Sequence, residues 1–147
     1  MLSFFLNKIY NTYMTDAADY IKKWHEVILE GKMELLDNLL NDDATFYSPV
    51  VFKPLEGKEI TKMYLSAAGL SFNMDSFKYT RELNDGNHSV LEFETTIDDI
   101  SVNGVDMIEW DDYGKILSFK VMIRPFKAVE IVRAKMVEAL EQISSNP

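Results

Sequence analysis

The chain has 147 residues, 47% of them hydrophobic, and sets 15 Lys and Arg against 24 Asp and Glu for a net charge of −9. That length holds one compact domain rather than two, and the acidic balance without a basic cluster argues against nucleic acid or an anionic membrane as partner. The absence of cysteine removes disulfides, thiolate metal sites and cysteine nucleophiles together, and is compatible with a reducing, cytoplasmic setting.

The apolar start Met1-Leu2-Ser3-Phe4-Phe5-Leu6 is too short, and lacks the basic flank, for a secretory leader. No run approaches the ~20 apolar residues of a membrane span. Met14, followed by the cap-like pair Thr15-Asp16, is the expected start of the domain, residues 14–147, with residues 1–13 as an N-terminal extension. Ala17, Tyr20, Ile21, Trp24, Val27 and Ile28 recur at helical spacing, and Gly31 stops the pattern. Met33, Leu35, Leu36, Leu39 and Leu40 predict a second short helix ending at Asn41-Asp42-Asp43, and Ala44-Thr45-Phe46-Tyr47 has strand composition. Pro49 and Pro54 bracket an extended connection, and a third helix is expected from Gly57 to Gly69.

From Met74 the apolar period changes to two. Strands are expected over Phe77 to Leu83 and Val90 to Ile97, joined at Asn84-Asp85-Gly86-Asn87, with Leu91, Phe93, Thr95 and Ile97 facing inward. Asp98-Asp99 turns the chain into a strand carrying Asp106, Ile108 and Trp110 on one face and Val105, Met107 and Glu109 on the other. After a turn at Tyr113-Gly114, Leu117, Phe119, Val121 and Ile123 alternate with Ser118, Lys120, Met122 and Arg124. Pro125 ends that strand, and a last helix runs from Phe126 towards Ile143, with Ser144 to Pro147 expected to fray. This order is α+β: a cone-like, strongly curved antiparallel sheet wrapped around N-terminal helices, with an extra C-terminal helix and a pocket between the layers.

The stretch from about Asp16 to Arg124 resembles the nuclear transport factor 2-like superfamily, which includes steroid delta-isomerases and SnoaL-like polyketide cyclases. The likeness lies in Leu40-Asn41-Asp42-Asp43-Ala44-Thr45-Phe46, in Leu55-Glu56-Gly57-Lys58-Glu59-Ile60, and in the segment from Asp106 to Ile116. The ending Val121-Met122-Ile123-Arg124-Pro125-Phe126, continuing as a helix, resembles the SnoaL-like members. In the isomerases an aspartate base precedes the loop proline; Ser48 stands there, and serine does not abstract a carbon-bound proton unaided. The isomerases' oxyanion-binding tyrosine on the first helix falls at Trp24, whose indole donates but cannot accept. Their second oxyanion donor, an aspartate, matches at Asp106. The resemblance thus implies the fold, a homodimer through the outer sheet face, and no steroid isomerase activity of the usual form.

Asp106 is the catalytic candidate, because a carboxyl on an inner strand face has its pKa raised and acts as acid, base or hydrogen-bond donor. Its alternative is a structural acid bonded to a group of the first helix such as the Trp24 indole. Trp24, Tyr47, Ser48, Tyr64, Phe93, Ile108, Trp110 and Phe119 are the expected ligand-binding residues. His25 reads as a partly exposed helix residue and His88 as a solvated one, without metal-ligand spacing. Phosphate-loop, dinucleotide and nucleophilic-serine motifs are missing from the sequence, so no cofactor and no metal is expected. The function that follows is a pocket for a small hydrophobic, oxygen-bearing molecule, with isomerase, cyclase or hydratase chemistry at Asp106. The alternative is a noncatalytic interaction module whose pocket is filled by its own side chains.

Overall fold

The first long helix, α1 (Ala17–Ile28), buries Ala17, Ile21, Trp24, Val27 and Ile28, one stripe at helical spacing that must face the core. Gly31, at φ +69°, turns the chain out of it, since only glycine takes that conformation without a Cβ penalty. A 3-10 turn (Met33–Leu35) leads into the single-turn helix α2 (Leu36–Leu39), and β1 (Leu40–Tyr47) follows at once. Then come β2 (Leu55–Glu56), α3 (Lys58–Ser71), β3 (Lys78–Asp85), β4 (His88–Ile97), β5 (Ile100–Trp110), β6 (Ile116–Arg124) and α4 (Phe126–Ser145). This computed structural model describes residues 1–6 and 16–145. The boundary expected at Met14 lies outside the described residues, as do Asn146 and Pro147.

The six strands form one sheet in the order β2-β1-β6-β5-β4-β3. Every neighbouring pair is antiparallel except β1 with β6, which is parallel. The expected α+β architecture is present, with curved sheet, N-terminal helices and added C-terminal helix. Several element ends differ by one or two residues, and two differences change the sheet itself. Strand β1 begins four residues earlier than the predicted Ala44, because Leu40, fully buried, already pairs with Ile116. The extended connection after Pro49 also contributes β2, which pairs Leu55 with Phe46.

The pleat of β6 departs from simple alternation. Glu109 pairs with Ser118 but Trp110 pairs with Ile116, leaving Leu117 in a bulge. Ile116 and Phe119 are therefore the buried positions, rather than Leu117 and Phe119, as an inserted residue reverses the facing of what precedes it. Between β4 and β5, Asp98 and Asp99 both have positive φ, 48° and 65°, the two-residue turn whose twist suits a tight hairpin.

The core has two parts. One, under α1, gathers Ile21, Trp24, Phe46, Ile108, Trp110 and Phe119. The other, under α4, gathers Phe93, Ile97, Val102, Ala128 and Val132. Helix α3 is tied to the sheet by the Thr61 hydroxyl, which donates to the Ala44 carbonyl at 3.0 Å, and to helix α2 by Lys58 and Lys62 on Asp37 at 3.4 and 3.1 Å. No helix among the described residues is long and apolar enough to cross a membrane.

Candidate functional site

A pocket of about 120 Å³ opens between the concave sheet face, α1, α3 and α4. Phe46, Phe119 and Val121 of the sheet, Trp24 and Ile28 of α1, Tyr64, Leu65 and Ala68 of α3, and Phe72 and Phe77 line it, as does Asp106. Its rim is the loop Ser48 to Val51 on one side and α4 on the other, through Val132, Arg133, Met136, Val137 and Leu140. Val50, Val51 and Val137 are 37%, 45% and 51% exposed, so the pocket reaches solvent there.

The polar part of the wall is a directed chain. The Trp24 Nε1–H donates to the Tyr79 hydroxyl oxygen at 2.8 Å, and the Tyr79 hydroxyl donates to Asp106 Oδ2 at 2.7 Å. An indole N–H can only donate. Tyr79 must therefore accept from Trp24 and spend its own hydrogen on Oδ2. When Asp106 is protonated, its hydrogen is left to Oδ1, for which no hydrogen-bond partner exists among the described residues. Burial pushes the Asp106 carboxyl up to about 7, opposed by the Tyr79 hydrogen bond, which favours the ionised form. Burial, and then the Asp106 charge, raise Tyr79 well above its ordinary range, so it remains a donor.

This corrects the direct Trp24 to Asp106 bond: Tyr79 stands between them. Tyr79 escaped the sequence reading, although a tyrosine on an inner strand face always carries a hydroxyl that needs a partner. Of the other expected ligand residues, Trp24, Ser48, Tyr64 and Phe119 line the pocket together with Asp106, and Trp24 packs on Phe119 at 4.8 Å between ring centroids. Tyr47, Phe93, Ile108 and Trp110 do not line it. Tyr47 points to the outer face, where the Lys120 ammonium sits 4.7 Å from its ring centre. Phe93 lies beneath Phe72 and Phe77. Ile108 is core, and Trp110 packs on Tyr20 and donates its indole N–H to the Ser89 hydroxyl at 2.9 Å.

Ser48 has a structural occupation: its hydroxyl oxygen accepts from the Val50 and Val51 amides at 3.0 and 3.3 Å. It thereby shapes the rim loop. His25 is half-buried against Glu82, outside the pocket wall, and His88 is exposed. Among the described residues no group of three or more His, Cys, Asp or Glu side chains is placed to hold a metal ion.

A family model described as SnoaL-like domain matches residues 21–119. The chain belongs to the SnoaL-like domain family. Among solved structures, this SnoaL-like chain is similar to a steroid delta-isomerase from Pseudomonas aeruginosa, at 34% identity and TM-score 0.82 over 88% of this chain and 94% of that one. It is also similar to an uncharacterized protein conserved in bacteria with a cystatin-like fold from Silicibacter pomeroyi, at 29% identity and TM-score 0.76 over 86% and 88% of the two chains. A putative ketosteroid isomerase from Kribbella flavida shares the fold at 19% identity and TM-score 0.60, over 78% of this chain and 81% of that one. No curated protein matches the sequence.

Proposed function

We propose that this SnoaL-like protein binds a small, mostly apolar, oxygen-bearing molecule in the pocket and moves a proton on it with Asp106, in an isomerase, cyclase or hydratase type of reaction. The observation that carries this reading is the chain Trp24 to Tyr79 to Asp106, which leaves Oδ1 as the polar atom presented to the ligand. A carboxyl titrating near 7 is populated in both forms at neutral pH, the condition for efficient acid and base work. In its ionised form it takes a proton from the carbon beside a ligand carbonyl and, now neutral, returns that proton or a solvent-exchanged one to the ligand; in its neutral form it donates a hydrogen bond to a ligand oxygen.

The pocket's size argues against a steroid. A cavity of roughly 150 Å³ accommodates benzene, so about 120 Å³ suits an apolar body near one ring in size. Ser48 supplies no carboxylate where the isomerases keep their base, and its oxygen is committed to the rim loop.

Ring-sized ketones, acetophenone and cyclohexanone, provide the test, by NMR of deuterium uptake from D2O at the carbon beside the carbonyl. The expected result is uptake above the buffer rate with an inflection near pH 7, falling by roughly a hundredfold in Asp106→Asn, the scale of lost acid–base catalysis. Saturable binding without uptake overturns the enzymatic reading. It would leave a noncatalytic ligand-binding module, whereas no binding at all would support the second reading, an interaction module with a side-chain-filled pocket, which the cavity favours by falling below the ~300 Å³ usual for small-molecule sites. The outer sheet face, where Met107 and Met122 are 38% and 53% exposed, supports a homodimer through that face.

A further inference from the structure

Helix α4 brings one charge to the pocket mouth. Asp106 and Arg133 are the charged residues of the lining, and Val132, Met136 and Val137 place Arg133 on the pocket-facing stripe of the helix. The neighbouring cation Lys135 is held by Asp98 at 3.2 Å and Glu138 at 3.7 Å. Arg133 has no carboxylate within ion-pair distance among the described residues. In a chain of net charge −9 the general field repels anions, so a free guanidinium at the edge of an apolar cavity is a local exception. Its planar fork of donors matches a carboxylate.

We infer that the ligand is an amphipathic acid: an apolar body about one ring in size, a carbonyl or hydroxyl oxygen at the Asp106 end, and a carboxylate at the solvent end held by Arg133. This deepens the proposed function and rests on the pocket being a ligand site. The division of labour follows from solvation. The mouth is wet, so a carboxylate there keeps part of its hydration while gaining an Arg partner; at the Asp106 end it would be buried beside another carboxyl, at high cost.

Calorimetric titration with 4-acetylbenzoate and its uncharged counterpart 4-acetylbenzamide tests this. The wild-type protein is expected to bind the acid roughly fivefold more tightly than the amide, the scale of a partly exposed ion pair, with the preference shrinking as salt is raised. Arg133→Gln is expected to abolish the preference by weakening acid binding more than amide binding, and Arg133→Lys to restore part of it. Equal binding of acid and amide by the wild type, or a preference that survives in Arg133→Gln, overturns the role of Arg133 alone. Failure of both compounds to bind overturns the ligand pocket itself, and this inference with it.

Discussion

Among the described residues Asp106 has one donor, and that donor's direction is set by a tryptophan that cannot accept. Because its pKa is about 7 in the fold against an ordinary 3.8, the native state holds one proton more than the unfolded chain between those values. Stability from this group is therefore complete below about pH 4 and is lost as pH rises through about 7. The expected loss is on the order of 4 kcal/mol, at ~1.4 kcal/mol per pH unit. In Asp106→Asn, neutral at every pH and still offering Tyr79 an amide oxygen, that decline should vanish. Urea unfolding of both proteins from pH 4 to pH 8 checks it; parallel curves would mean that Asp106 titrates normally. Asp106 was legible in the sequence because period-two alternation put a carboxylate in line with Ile108 and Trp110. Tyr79 was not, because its bond reaches β5 across β4, and a register shift between Tyr79 and Arg81 breaks the alternation of β3.

Strand β5 explains why the carboxyl follows a glycine by two residues. A Cβ at Gly104 would overlap the Phe93 ring and stand 2.9 Å from the Met122 carbonyl oxygen. Phe93 in turn supports Phe72 and Phe77, at 5.5 and 5.2 Å between ring centroids, which form pocket wall. Gly104→Ala should thus destabilise the protein by about 1–3 kcal/mol, the range for overpacking, and shift the Phe72 and Phe77 ring resonances. Urea unfolding and aromatic NMR spectra read the two effects; an unchanged midpoint would contradict this packing. The elements themselves were readable, since α1 shows its apolar stripe and β4 its inward Leu91, Phe93, Thr95 and Ile97. Bulges were not, because the register of β6 depends on Ile116 serving both β1 and β5, and local sequence carries no record of distant partners.

At the scale of the whole molecule, the pocket is made by three layers meeting: sheet, α1 with α3, and α4 across the open side. The sequence announced α4 as an apolar helix through Val132, Met136 and Leu140, but not that this face roofs the cavity or brings Arg133 with it. Packing against α3 and the sheet decides that. It also decides which aromatics reach the pocket: Trp24, Phe46, Tyr64, Phe72, Phe77 and Phe119 line it, whereas Phe93 and Trp110 do not. In the proposed function this enclosure keeps one carboxyl poised between its two protonation states and turned towards a ligand. A carbon-13 NMR titration of the Asp106 carboxyl, assigned by its loss in Asp106→Asn and run with and without acetophenone, tests it most directly. The expected midpoint lies near pH 7 and rises further when a ligand oxygen accepts the carboxyl hydrogen; a midpoint near the ordinary 3.8, indifferent to the ketone, would overturn the role given to Asp106.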